Sequence, residues 1–200
     1  RILSVGKNKI STKVVKAGGM RSNIGLALEG KELPFPAMTS QDRRKLKIAV
    51  DNGVDWIGVS MVQSPKNLQA VRRALDKLGA KNVKIVAKIE SVSAMKNLAA
   101  IVDQADMIMI ARGDLGIAVG PKNLAKAEAQ IARVATERGK PFIAATNYMS
   151  NMISKPKPSA ANRADVKQAL SHQPSFFMLN ETAIGKYPVA TVKELGSLIQ

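Results

Sequence analysis

Residues 83–90, the most informative stretch of the chain, read Val-Lys-Ile-Val-Ala-Lys-Ile-Glu. A short apolar run that leads into polar side chains predicts a buried β-strand ending near Glu90. Side chains alternate faces along a strand, so Lys88 and Glu90 point to the same side. A second apolar run, residues 107–110, is followed in the same way by Asp114. Two carboxylates from two strand ends, with a lysine between them, can hold Mg²⁺ and stabilise a phosphoryl group.

The pattern around this stretch, an apolar strand followed by a polar loop and an amphipathic helix, repeats along most of the chain. Strands are predicted at five places: residues 54–60, 84–90, 107–113, 141–146 and 175–180. Helices are predicted at residues 39–52, 64–79, 91–105, 121–138 and 162–171, with a last helix from residue 188. Strands that alternate with helices at this spacing indicate right-handed βαβ units and a parallel sheet.

Polar side chains stand at the carboxyl ends of the predicted strands: Ser60, Glu90, Asp114, Thr146 and the pair Asn180-Glu181. In a (β/α)₈ barrel, functional groups converge from several successive strand ends. An open parallel sheet would concentrate them at one switch point. Five strands do not close a barrel, and an open five-stranded sheet is the alternative. The spread of polar residues favours an α/β fold that is part of a (β/α)₈ TIM barrel.

The start of the chain follows a different pattern. Residues 10–16, the pair Gly18-Gly19 and residues 21–28 predict short antiparallel strands with a tight turn, and residues 30–36 predict a stiff connector. We therefore divide the chain into a β-rich remnant, residues 1–32, and a partial barrel domain, residues 33–200. Because the first residue is Arg1 rather than methionine, we expect a processed or partial product.

Composition limits the classes of function. The 200 residues are 46% hydrophobic and include no cysteine, which excludes disulfides and thiolate metal sites. No apolar stretch approaches the roughly 20 residues that a membrane span needs. Trp56, Met107, Met109 and Met178 are predicted to be packing residues.

The charge of the chain favours polyanionic partners, either phosphorylated metabolites or nucleic acid. The formal net charge is +16, with 19 basic and 7 acidic side chains in residues 1–100 against 12 and 8 in residues 101–200. Runs of charge are usually solvated helix surface, and aromatic residues, at 4%, are too scarce to favour specific reading of single strands. The candidate contacts for a polyanion such as RNA are Arg43, Arg44, Lys45, Lys47, Arg72 and Arg73.

With these motifs in place, the chain resembles the pyruvate kinase family, and the match runs nearly end to end. Residues 83–91 resemble the signature strand of the family, and residues 109–117, Met-Ile-Ala-Arg-Gly-Asp-Leu-Gly-Ile, resemble its loop for metal and phosphoenolpyruvate. Residues 33–42 resemble the join from the lid domain to the barrel. Further matches follow in family order at residues 140–147, 152–158 and 178–183, and residues 145–147 and 185–188 are similar to the plastid-type branch.

The resemblance implies a role for each site residue. Glu90 and Asp114 would hold Mg²⁺ or Mn²⁺, Lys88 would neutralise charge on the phosphoryl group, and Thr146 would sit near the enolate carbon. Backbone N–H groups at the start of a helix would face the substrate carboxylate. The substrate-binding residues implied are Ala111, Arg112, Gly113, Asp114 and Thr146.

The resemblance covers only part of the family's pattern. In the family, three barrel strands precede the lid domain and supply groups for phosphate and K⁺, so the ligands of K⁺ would not be in this chain. What remains resembles the last strands of the lid and about strands 4–8 of the barrel. Ala118 and Ser150 stand where the family has glutamates, residues 158–162 replace an Arg- and Glu-containing stretch of subunit contacts, and no glycine separates Asn180 from Glu181.

Two hypotheses of function follow. In the first, the chain is a pyruvate-kinase-like domain for phosphoryl transfer from phosphoenolpyruvate to ADP, inactive when isolated. In the second, it is an inactive structural subunit derived from a pyruvate kinase, in a larger assembly that contains RNA, such as an organellar ribosome. Under either hypothesis, we expect a protein partner or a missing segment to cover the open edges at residues 54–60 and 175–180, and no membrane association. The basic charge and the plastid-like motifs favour an organelle, plastid or mitochondrion, over the cytoplasm.

Overall fold

The computed structural model of the chain describes residues 1–15, 17–19 and 36–200. The predicted strand at residues 21–28 and nearly all of the predicted connector at residues 30–36 lie outside the described residues. The proposed boundary between residues 32 and 33 also lies there and stays a prediction.

The described residues contain seven strands and eight α-helices. The strands are β1 (Ile2–Val5), β2 (Ile10–Thr12), β3 (Trp56–Val59), β4 (Lys84–Ile89), β5 (Met107–Ala111), β6 (Phe142–Ala145) and β7 (Phe176–Met178). The α-helices are α1 (Ser40–Asp51), α2 (Pro65–Lys77), α3 (Val92–Lys96), α4 (Leu98–Gln104), α5 (Arg112–Val119), α6 (Leu124–Glu137), α7 (Ala160–Leu170) and α8 (Pro188–Ile199). Short 3₁₀ helices occupy Pro121–Asn123, Ser150–Ile153 and Glu181–Ile184.

Strands β3 to β7 form one parallel sheet in which every strand pairs with its neighbour in sequence. This order contains no reversal, so the doubly wound alternative, which needs a switch point, is excluded. An order that follows the sequence is the winding of a (β/α) barrel. The predicted α/β fold with part of such a barrel is therefore confirmed.

The two faces of the sheet are buried in different ways. Ile85, Ala87 and Ile89 of β4 belong to the main core, which also takes in apolar residues of α2, α4 and α6. Burial of each of the two isoleucine side chains contributes about 1.5–3 kcal/mol. Val86 and its neighbours form a separate cluster on the opposite, inner face, made of Val86, Met107, Met109, Ile143 and Ala145.

Side-chain caps fix where several helices begin. Thr39 and Asp42 form a capping box at α1, in which Thr39 Oγ1 accepts from the Asp42 N–H at 3.0 Å and Asp42 Oδ2 accepts from the Thr39 N–H at 2.8 Å. Ser91 accepts from the Ala94 N–H at 3.0 Å and begins α3 directly after Glu90. This cap ends the β4 segment and so fixes the turn that carries Glu90.

Some predicted elements are wrong in detail. The helix predicted at residues 91–105 is two helices, α3 and α4, which meet at Asn97. The side-chain amide of Asn97 donates to the Gln63 carbonyl at 2.8 Å and to the Ser93 carbonyl at 3.1 Å. These side-chain bonds are not part of the backbone ladder of an α-helix. Helix α5 was not predicted, because Gly113 and Gly116 lower helix propensity. Packing of Leu115, which is fully buried, stabilises this helix instead.

The start of the chain and two of the predicted packing residues also differ from expectation. Strands β1 and β2 form an antiparallel pair whose residues are all exposed, and β2 ends at Thr12 rather than at residue 16. Met107 and Met109 are buried, whereas Trp56 and Met178 are exposed because their strands form the two edges of the sheet. Among the described helices, none combines the length and the apolarity needed to cross a membrane.

Candidate functional site

The carboxyl ends of β4 to β7 open into one cavity of about 640 Å³. Parallel strands in sequential order bring these ends together, although the residues come from distant parts of the chain. The predicted side chains that line the cavity are Lys88, Glu90, Asp114 and Thr146, and the backbone of Ala111 and Gly113 contributes as well. Asn147, Asn180 and Glu181 complete its polar lining.

Glu90 is the best-anchored side chain of this cavity. Its carboxylate lies 2.7 Å from Lys88 Nζ through Oε1, and Oε2 accepts from the Met61 N–H at 2.6 Å. Lys88 Nζ also donates to Ser60 Oγ at 2.9 Å. Glu90 is only 2% exposed, so these partners compensate the burial of its charge. The predicted Lys88–Glu90 pair is thus formed, and β3 supports it through Ser60 and Met61.

Unusual backbone occurs at the cavity. Thr146 and Asn147, which line it, have φ of 76° and 64°, and Met61, which binds Glu90, has φ of 53°, in the left-handed region that residues other than glycine seldom adopt. Met149 and Gln173, which are not part of the lining, also have positive φ. Each such residue costs on the order of 1–3 kcal/mol, and such strain tends to collect at functional sites. In Met61 the unusual φ aims the backbone N–H at Glu90.

Gly113 allows helix α5 to approach the end of β6. A Cβ atom at this position would lie 3.2 Å from Thr146 Cγ2, which is tighter than ordinary van der Waals contact. The close approach places Asp114 and Thr146 on the same cavity wall. The feature of glycine that matters here is therefore the space it leaves for Thr146 rather than an unusual φ.

Asp114 and Glu90 together form a donor set that fits Mg²⁺. Asp114 is exposed and has no hydrogen-bond or ion-pair partner within the described residues, so its oxygens are free to bind. Mg²⁺ in phosphoryl-transfer sites is typically held by one or two carboxylates, with water and substrate oxygens filling the remaining positions. Within residues 1–15, 17–19 and 36–200 there is no group of three or more Asp, Glu, His or Cys side chains suited to a metal. Asp114 fits this mode of binding with free oxygens, whereas Glu90 would have to use the remaining lone pairs of oxygens that already accept from Lys88 and from the Met61 N–H.

Helix α5 begins next to the cavity, so its N-terminus faces this space. Ala111 is its N-cap and provides no side-chain cap, so the first N–H groups of the helix remain available to an anion. The side chain of Arg112 does not line the cavity. It lies on the far side of α5, in ion pairs with Glu128 and Asp165.

Some of the basic side chains predicted to contact a polyanion are already paired within the chain. Lys47 pairs with Asp51 at 2.7 Å. Arg72 is committed to the fold, since it donates to the carbonyls of Lys81 and Val83 and pairs with Asp106 at 3.2 Å. Within the described residues, the side chains of Arg43, Arg44 and Arg73 have no hydrogen-bond or ion-pair partner, whereas the charge of Lys45 acts on Asp42.

Several residues around the site carried no recognisable signal in the sequence. Met61 contributes a backbone N–H in an unusual conformation, which no residue pattern announces. Arg112 and Asp165 are 53 residues apart, so their pairing depends on the tertiary fold. Only the placement of polar residues at strand ends could be read in advance.

The sequential parallel sheet, with a lysine and two carboxylates at its carboxyl ends, defines a domain of the (β/α)-barrel class. Comparison with known proteins specifies the family within that class. The family model described as pyruvate kinase, barrel domain, matches residues 1–192. The chain belongs to the pyruvate kinase family.

Individual relatives agree with the family model. The pyruvate kinase of Mycobacterium tuberculosis strain H37Rv is 35% identical over 187 residues, which cover 93% of this chain and 39% of the relative. Pyruvate kinase 2 of Synechocystis sp. is 33% identical over 189 residues, covering 94% of this chain and 32% of the relative. The pyruvate kinase of Corynebacterium glutamicum is 33% identical over 199 residues, covering 99% and 42%. The chain thus spans about two fifths or less of the length of these relatives.

Proposed function

We propose that the chain is part of an enzyme that transfers a phosphoryl group from phosphoenolpyruvate to ADP, giving pyruvate and ATP. The observation that carries this proposal is the convergence of Lys88, Glu90, Asp114 and Thr146 on one cavity at the strand ends. Membership of the pyruvate kinase family supports the same chemistry.

Each residue of the cavity would have a role that follows from its chemistry. Glu90 and Asp114 would hold Mg²⁺ or Mn²⁺, which when bound neutralises negative charge on the substrate oxygens. Lys88, held by Glu90 and Ser60, presents a fixed positive charge to the phosphoryl group. The first N–H groups of α5 would bind the substrate carboxylate. Thr146 would lie beside the enolate carbon, within the relay that protonates it.

The isolated chain is proposed to be inactive because its barrel is open. Strands β3 and β7 are the two edges of the sheet, and large apolar side chains on them remain exposed: Trp56 by 45%, Phe176 by 54% and Met178 by 38%. Exposed parallel edges with apolar side chains favour pairing with another segment. A partner chain or a further segment is therefore proposed to cover both edges and to complete the site, including any ligands for K⁺.

A chimera tests the proposed reaction. Residues 1–192 replace the matching segment of the Mycobacterium tuberculosis relative, and pyruvate formation is measured with phosphoenolpyruvate, ADP and Mg²⁺. We expect a folded chimera that turns over and that loses at least about 100-fold in rate when Lys88 is changed to Met. A folded chimera with no activity, or one indifferent to K88M, would overturn the proposal. Substantial turnover by the isolated chain would overturn only its proposed inactivity.

A second candidate function is a structural subunit that contacts RNA phosphates. The observation in its favour is the distribution of charge, since α1 carries four basic and two acidic residues and α2 four and one. Helices α4 to α6 and α8 each carry equal numbers of basic and acidic residues or a single excess charge. Binding to RNA that weakens steeply with salt, and that is reduced in an R43Q/R44Q variant, would support this candidate. RNA affinity equal in the variant and the wild type would exclude it.

A further inference from the structure

A partly buried ion cluster lies behind the cavity, on the opposite side of α5. The Arg112 guanidinium donates two hydrogen bonds of 2.8 Å to the Asp165 carboxylate, and its Nε lies 2.6 Å from Glu128 Oε1. The guanidinium carbon also lies 4.5 Å from the centre of the Tyr148 ring. The side chains of Arg112 and Glu128 are each only 13% exposed, and that of Asp165 is 27% exposed.

This cluster joins four parts of the fold. Arg112 is the first residue of α5 and lies two residues before Asp114. Glu128 belongs to α6 and Asp165 to α7. Tyr148 follows β6 by three residues and packs edge-to-face on Phe177 of β7, with ring centres 5.2 Å apart. The start of α5 is thereby tied to the two neighbouring helices and to the last two strands.

Few side chains of α5 itself contribute to holding its first turn. Its N-cap provides no side-chain hydrogen bond, two of its eight residues are glycines, and Leu115 is its only buried residue. Glycine raises the conformational entropy that a helix must lose. A planar guanidinium that binds a carboxylate through two parallel hydrogen bonds fixes orientation as well as distance, whereas an ammonium group acts as a point charge.

We propose that Arg112 is a positioning residue for Asp114. Its two hydrogen bonds to Asp165, with the charge of Glu128 beside them, set the orientation of the first turn of α5, and this orientation aims the Asp114 carboxylate into the cavity that Glu90 shares. The inference deepens the proposed function and rests on it through the assignment of Asp114 to the metal.

Mn²⁺ binding to the full chain tests the proposal, with the signal of free Mn²⁺ followed by electron paramagnetic resonance. The variant R112K keeps the positive charge near Asp114 and removes the fork of hydrogen bonds. We expect it to weaken Mn²⁺ binding about tenfold, as is usual when a support of a metal ligand is lost. D165N should weaken binding similarly, and the double variant should be no worse than the more affected single one.

A matched control separates positioning from general stability. Arg138 pairs with Asp103 at 2.8 Å, away from the cavity, so R138K should leave Mn²⁺ affinity unchanged. All variants are measured well below their unfolding temperatures. If R112K and D165N lower the unfolding temperature but bind Mn²⁺ as the wild type does, the cluster is merely structural and the proposal is wrong.

Hydrogen exchange distinguishes failure of the inference from failure of the proposed function. If the wild-type chain does not bind Mn²⁺, the metal role of Asp114 fails, and with it the functional part of the proposal. The effect of the Arg112–Asp165 pair, here called the clamp, on the first turn of α5 is then measured by amide exchange in Arg112–Val119, the span of α5. Faster exchange there in R112K than in R138K supports the clamp, and equal exchange in the two variants overturns it.

Discussion

Glu90 is held by partners from β4 and from the turn after β3, and this makes its removal costly. Its carboxylate accepts from the Met61 N–H and pairs with Lys88, so truncation would leave the Met61 N–H without this acceptor and Lys88 with Ser60 as its remaining partner. We predict that E90A lowers the free energy of unfolding by about 1–3 kcal/mol. Chemical denaturation measures this loss. D51A, which breaks the exposed Lys47–Asp51 pair, is the control and should cost less than about 1 kcal/mol. Equal losses in the two variants would contradict the anchoring of Glu90.

Gly113 and Thr146 offer a second test at the scale of single residues. A methyl group at position 113 would meet Thr146 Cγ2 at 3.2 Å. We predict that G113A destabilises the chain by about 1 kcal/mol or more, because overpacking outweighs the gain in helix propensity.

T146S removes the opposing methyl group, so in that background G113A should be neutral or stabilising. The four proteins form a double-mutant cycle, measured by chemical denaturation. An equal effect of G113A in both backgrounds would show that the Thr146 methyl group does not limit the size of the side chain at position 113.

Among the elements, helices α6 and α7 contribute two carboxylates that differ in their energetic role. Burial raises the pKa of Glu128 above its ordinary value of 4.5, and the charge of Arg112 only partly offsets this effect. The folded state therefore binds the proton of Glu128 more tightly than the unfolded state does. The contribution of Glu128 to stability increases as pH falls through its folded pKa, and its ionised form at neutral pH is the less favourable one.

We predict that E128Q is neutral or stabilising at pH 7, whereas D165N, which breaks the two-pronged hydrogen bond, costs about 2 kcal/mol. The free energy of unfolding, measured between pH 5 and pH 8, checks both expectations. The difference between wild type and E128Q should shrink as pH falls toward the folded pKa. A large loss of stability in E128Q at pH 7 would show that the attraction of Arg112 outweighs the cost of burying the ionised Glu128.

The elements also show how far the sequence determines the fold. Hydrophobic runs predicted all five barrel strands, because a buried parallel strand is apolar on both faces. The sequence did not predict helix α5, because its two glycines have low helix propensity. The helix is stabilised by the tertiary packing of Leu115. The site was predicted as far as parallel topology brings strand ends together. The Met61 N–H and the Arg112–Asp165 pair could not be foreseen, because they depend on backbone strain and on contacts distant in sequence.

At the scale of the whole molecule, the open edges of the sheet dominate the expected behaviour. Trp56 on β3 and Phe176 on β7 are exposed apolar side chains on edge strands. We predict that the purified chain self-associates, or that it requires a complementing segment, and that such a segment slows amide exchange in both edge strands. Analytical ultracentrifugation and hydrogen exchange measure these properties. A stable monomer with both edges solvated would refute the proposed partner.

The proposed function of the whole chain depends on a divalent-metal site formed by carboxylates from two neighbouring strand ends. Titration of the chain with Mn²⁺, followed by electron paramagnetic resonance, tests this claim most directly. We predict one bound Mn²⁺ per chain, lost in D114N and retained in D76N, which neutralises an exposed aspartate of α2 outside the cavity. Equal Mn²⁺ binding by D114N and the wild type, or equal loss in both variants, would contradict the account.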